Sequence, residues 1–212
     1  MRKPFGVWLA ALVIGLAAFV GSGLTAAASE EVEAHAKLVP VPTEFQSNQP
    51  LTKVTGRIEL QQTVIDGAQA LVVDGRARNM DPADTYVSLL YTTPATGPTA
   101  CQPGPPLNFT QMFLGTWKVD KHGRGRLHSV KTAAGNSSPT PASFQAFLSA
   151  LGVSPSNLSG PGSFVPLTPI ITSVSIREMR LVSNPQGLPP LPPGVQVPER
   201  IDCGALRFEH ED

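Results

Sequence analysis

The chain is poor in the residues that carry redox and metal chemistry. It has two cysteines and four histidines in 212 residues. The histidines are His35, His122, His128 and His210. His122 and His128 stand six positions apart, which is not the spacing of a ligand pair. A nucleophilic serine needs a base held beside it, and no Gly-x-Ser-x-Gly is present. There is no glycine-rich phosphate loop. No long run of Lys and Arg occurs, so nucleic acid and anionic membrane surfaces are not expected partners. Beyond the N-terminus no stretch of about 18 apolar residues exists to cross a bilayer.

The N-terminal segment is different in kind. Arg2 and Lys3 precede an apolar run from Phe5 to about Val20, and Ala26, Ala27 and Ala28 follow. That order is the pattern of a secretory signal over 1–28, cleaved after Ala28. An uncleaved anchor is the alternative. Arg2 and Lys3 are two of the 16 basic residues, so the remainder, with 16 acidic residues, is slightly negative. Export to a periplasmic, cell-envelope or extracellular space permits a disulfide. With two cysteines the only intramolecular pairing is Cys101–Cys203, and two separate buried thiols are the alternative. A loop of that length would stabilise the fold by about 4–5 kcal/mol in the chain-entropy model.

Abundant proline and glycine, 22 and 19 residues, punctuate short β-like runs. Residues 29–50 read as a flexible leader and 51–212 as one domain. "KVTGRIELQQTV" alternates, with Val54, Ile58 and Leu60 on one face and Gly56 as a bulge candidate. "AQALVVDGRAR" (68–78) and "TYVSLLYTT" (85–93) are further strands, separated by the turn "DPAD". "MFLGTWKVDKHGRGRLHSVKT" (112–132) reads as a hairpin around "DKHG". "IITSVSIREM" (170–179) and "RIDCGALRF" (200–208) complete the set. In the excursion between them, Phe144, Phe147, Leu148 and Leu151 mark one short amphipathic helix stopped by Gly152. The pattern predicts an all-β Greek-key sandwich or barrel of about eight antiparallel strands, with that helix inserted at one end. "LPPLPPG" (188–194) reads as a stiff loop, or as a polyproline ligand. Asn108, Asn136 and Asn157 open glycosylation sequons.

Several of these pieces resemble copper/zinc superoxide dismutases. "RIDCGALRF" resembles the last strand of that family, whose Arg-x-x-Cys-Gly cysteine bonds to one in a long loop. "YVSLLYTTPATGPTAC" resembles the ligand strand running into that loop cysteine. "FLGTWKVDKHGRGRLHSV" resembles the Leu-Gly segment and its hairpin, "ITSVSIREM" the strand that ends in Val-His-Glu, and "VTGRIELQQ" the opening strand. The resemblance covers about 54–132 and 170–208 in consistent order.

The metal ligands of that family do not carry over. The His-x-His positions hold Ser88 and Leu90, or Leu90 and Thr92 in a shifted register. The copper histidine of the later strand falls on Arg177, the zinc aspartate on Phe113, and the histidine before it on Thr110. The resemblance therefore implies a metal-free relative with no cofactor. It implies an exported binding or structural module, whose partner is an unknown protein or a small anion. Arg200 matches the family's anion-guiding arginine, and Arg177 with Arg200 is the candidate anion site. Two solvated arginines paired with Glu178 or Glu199 are the plainer reading. The alternative function is a divergent superoxide dismutase using His122 and His128.

Overall fold

The structure is a computed structural model. It describes residues 31–41, 53–92, 101, 112–154, 164, 166–168, 171–183, 185 and 188–209. The segment expected to be a signal peptide lies outside these residues.

The long strands are β1 (Val32–Pro40), β2 (Thr55–Ile65), β3 (Ala68–Arg78), β4 (Tyr86–Thr92), β5 (Met112–Thr116), β7 (Gly125–Thr132), β9 (Ile171–Arg180) and β10 (Val197–Ala205). Three short ones join them: β6 (Lys118–Val119), β8 (Gly135–Asn136) and β11 (Arg207–Glu209). Helix α1 spans Ala142–Ala150. The strands form one antiparallel sheet in the order β5-β4-β9-β10-β1-β2-β3-β7-β6. β1, β2 and β3 are a meander, and β10 returns to lie beside β1, a Greek-key connection. The sheet curls until β5 and β7 approach, which makes a nearly closed barrel. Among the described residues no helix is long and apolar enough to cross a membrane.

Alternation explains the barrel. Ala34, Ala36 and Leu38 of β1, Ile58 and Leu60 of β2, and Leu71 and Val73 of β3 point inward and are buried. Leu127, Val174, Ile176 and Ile201 meet them from the other strands. The intervening residues of β1, β2, β3 and β7 are mostly exposed, as a one-sided sheet requires. Asp66 and Gly67 close the β2–β3 hairpin in two residues, with φ of 51° and 78°. Both central residues of such a turn need positive φ, which suits Asp-Gly.

The seam between β5 and β7 is bridged by side chains. The Ser129 hydroxyl donates to the Leu114 carbonyl at 2.5 Å, and the Lys131 ammonium to the Phe113 carbonyl at 3.3 Å. The Asn136 amide donates to both carbonyls, at 3.2 and 3.1 Å. The backbone N–H of Thr116 donates to the Ser138 hydroxyl at 2.9 Å. Edge groups that would otherwise be orphaned are satisfied.

Three expectations change. Part of the presumed leader, Val32–Pro40, is a full strand paired with β2, β10 and β11, so the domain begins before residue 51. Its buried residues are mainly alanines, a weak apolar signal beside Glu33, His35 and Lys37. Gly56 is not a bulge, because the β1–β2 and β2–β3 registers run through it unbroken. A Cβ there would stand 2.8 Å from the Arg76 carbonyl, so the small residue serves close packing. The helix does not close an end of the barrel. Phe144, Phe147 and Leu148 lie on the outer faces of β4 and β5, against Val87, Leu89, Tyr91 and Phe113. That outer face is apolar, and leaving it in water would be costly. Leu188, Leu191 and Val195 of the proline-rich loop pack against the same cluster.

Candidate anion site beside the disulfide

Cys101 and Cys203 are bonded, with Cα atoms 5.6 Å apart. The bond ties the segment after β4 to β10. Along β10 the residues before Cys203 are buried without exception. This strand lies between β9 and β1, and its outer face is covered as well as its inner one.

Arg177 and Arg200 are direct cross-strand partners on β9 and β10. The register shifts just after them, between Arg200 and Asp202, where Ile201 is the extra residue of a β-bulge. Such a bulge re-aims neighbouring side chains. Arg177 is fully buried and Arg200 is 5% exposed, so the solvated-arginine reading fails. Glu178, one of its two suggested partners, belongs elsewhere: Arg180 Nε and Nη2 donate to its two carboxylate oxygens, at 2.5 and 2.9 Å. Burial pushes the Glu178 carboxyl up, and the Arg180 guanidinium opposes that shift.

Arg177 is held by its surroundings. Its Nε donates to the Tyr91 hydroxyl at 2.5 Å and its Nη1 to the Pro198 carbonyl at 2.6 Å. Its guanidinium carbon lies 5.5 Å from the Tyr91 ring centroid, a cation–π distance. Tyr91 also exchanges a 2.9 Å hydrogen bond with Ser175, which is the cross-strand partner of Cys203. Arg200 differs. Its Nε and Nη2 are buried and have no hydrogen-bond partner among the described residues. Two like charges directly opposite each other are unfavourable, and a buried N–H without an acceptor costs about 1–3 kcal/mol. An anion accepting from Arg200 would offset both.

The positions that the resemblance assigns to metal ligands have other work. Ser88 accepts a 2.9 Å hydrogen bond from the Trp117 indole inside the barrel. Leu90 is buried in the core. Phe113 stacks on Phe144 with ring centroids 5.8 Å apart. Thr110 lies outside the described residues. His122 sits exposed in the hairpin turn, and the His128 ring is 2.9 Å from the Asp74 carboxylate on the exposed sheet face. His35 lies 3.3 Å from Glu209. His210 is outside the described residues. Among the described residues no three His, Cys, Asp or Glu side chains gather as a metal-binding group.

Two buried charged groups escaped the sequence reading. Asp202 is fully buried and pairs with Ile176, a residue of the barrel interior. Neither carboxyl oxygen has a hydrogen-bond partner among the described residues, and burial pushes its pKa up to about 8. Lys131 is fully buried at the seam, and burial lowers its pKa to about 8. Both sit at alternation positions that a pattern reading fills with apolar residues. No protein-family model matches the chain, and no curated protein matches it.

Proposed function

We propose that the chain is an exported, non-catalytic binding domain of the superoxide-dismutase-like type, which holds a small anion at Arg200 beside Arg177. The observation that carries this reading is the buried Arg177–Arg200 pair, in which Arg200 keeps two N–H groups without a hydrogen-bond partner among the described residues. The barrel supports the family likeness. The resembling segments fall in order on β2, β4, β5 to β7, β9 and β10, and the cysteine after β4 is bonded to the one in β10. The side chains at the ligand positions support the non-catalytic part: Ser88, Leu90 and Phe113 are committed to packing and internal hydrogen bonds. Arg177, a fixed cation, holds the position that the resemblance assigns to a copper ligand.

The test uses the oxidised protein with selectively labelled arginine side chains. Titration with sulfate and with bicarbonate is expected to give a saturable shift of one Nε–H resonance, which disappears in Arg200→Gln. A linear, non-saturating response would overturn the anion site. Separately, the protein is offered copper and zinc and then dialysed. The expected result is no retained metal. One copper per chain, with superoxide dismutation lost in His122→Ala or His128→Ala, would overturn the non-catalytic reading.

A further inference from the structure

The sheet builds a second charged feature that lies on its other half and is independent of the Arg177–Arg200 pair. Lys37 on β1 is paired with Arg57 on β2, and Arg57 with Arg76 on β3. Arg76 is paired with Arg126 on β7, and Arg126 with Lys118 on β6. Five basic side chains thus stand in one unbroken cross-strand row. All five are exposed. Strands are about 4.8 Å apart, so the row is roughly 19 Å long. Arg57 has Glu59 at 3.5 Å. The other four make no ion pair among the described residues.

Like charges directly opposite on a sheet are destabilising, so packing gives no reason for four consecutive like pairs. The row also lines an open groove of about 1090 Å³, to which Lys37, Arg57, Arg76 and Arg126 all contribute.

We propose that this row binds a linear polyanion, specifically an acidic polysaccharide carrying sulfate or carboxylate groups. Three features select that class. The positive stripe is bounded on one flank by the row His35, Glu59, Asp74, His128, while on the other flank the exposed Arg78 and Arg124 line the same groove, Arg124 paired with Asp120. A flat anionic bilayer would meet those carboxylates as well, whereas a single extended chain lies along the basic row. Among the described residues no Phe, Tyr or Trp lines the groove, so bases of a single-stranded nucleic acid have no aromatic ring there to stack on. The cations also repeat at the strand spacing, which suits charges repeating along a sugar chain.

The experiment compares the oxidised protein with two triple variants. One is Arg57→Gln/Arg76→Gln/Arg126→Gln. The other, of equal net charge, is Lys53→Gln/Lys121→Gln/Arg207→Gln, all exposed and off the row. Binding to dextran sulfate, polygalacturonate, uncharged dextran, poly-dT and phosphatidylglycerol vesicles is measured over a salt series. The expected result is salt-sensitive binding to dextran sulfate or polygalacturonate and none to dextran. The row variant should weaken it by about tenfold or more, with a shallower salt dependence, and the control should change it little. The row variant should also melt no lower than the unmodified protein, because repulsion is relieved. Arg200→Gln should leave polymer binding intact. Equal loss in both triple variants would overturn the proposal, as would no binding to either acidic polysaccharide. Tighter binding to poly-dT or to the vesicles would overturn it in favour of that partner.

Discussion

The Asn136 side-chain amide donates to the Leu114 carbonyl at 3.1 Å, across the seam between β5 and β7, which no ladder joins among the described residues. The same amide also reaches the Phe113 carbonyl. Truncation would remove one of two donors from each carbonyl, leaving Ser129 on Leu114 and Lys131 on Phe113. Asn136→Ala is expected to destabilise the protein by about 1–3 kcal/mol, read from the midpoint of urea unfolding. Asn136 also opens a sequon, Asn136-Ser137-Ser138. Its amide nitrogen is engaged in the seam, so the folded protein made in a glycosylating host should carry an unmodified Asn136, as judged by peptide mass spectrometry.

Trp117 is anchored in two ways. Its indole N–H donates to Ser88, and its ring lies over Gly75, where a Cβ would meet ring carbon Cη2 at 2.6 Å. Ser88→Ala should cost about 1–3 kcal/mol by leaving the buried N–H without an acceptor. Gly75→Ala should cost a similar amount or more through overpacking. In Gly75→Ala, Trp117 must move, so the near-ultraviolet circular dichroism should change. An unchanged spectrum with full stability would contradict this packing.

Asp202 predicts a pH dependence. Burial raises its folded pKa to about 8, well above the ordinary aspartate value of 3.8. Between those values the native state binds more protons than the unfolded state, so stability falls as pH rises. The contribution is complete below about pH 4 and is lost as pH passes through 8. Asp202→Asn should flatten this part of the stability profile. Lys131 acts in the opposite sense at higher pH: its lowered pKa makes stability rise between about 8 and 10.5. Chemical denaturation at pH 5, 7 and 9 separates the two, and an Asp202→Asn profile parallel to the unmodified one would contradict the assignment.

Much of the fold is legible in short stretches. The alternation of Ile58 and Leu60 with Arg57 and Glu59 places β2 correctly. Phe144, Phe147 and Leu148 mark the inner face of α1. The "DKHG" turn sits where expected, with Asp120 accepting from the backbone N–H groups of His122 and Arg124. β1 is not legible because its inward residues include Ala34 and Ala36, which are small and weakly apolar. The Asp66-Gly67 turn was available as a signal for the β2–β3 hairpin.

The charged features divide differently. Arg177 and Arg200 are visible by resemblance, but their burial is not, because Arg at an outward strand position normally meets water. Asp202 and Lys131 are hidden for a different reason: both face the barrel interior, where a pattern reading expects apolar residues. The basic row is invisible along the chain, where Lys37, Arg57, Arg76, Lys118 and Arg126 never form a run.

The sequence by itself determined the local periods and the turns, because these depend on neighbours within a few residues, and the one possible intramolecular disulfide pairing, because the chain has two cysteines. The tertiary structure alone decided which residues stand opposite one another. Cross-strand register is set by closure of the whole barrel, and a shift of one residue would exchange the faces of every strand. That register lines up five scattered cations, brings Arg177 against Arg200, and leaves the Asp202 carboxyl without a hydrogen-bond partner among the described residues.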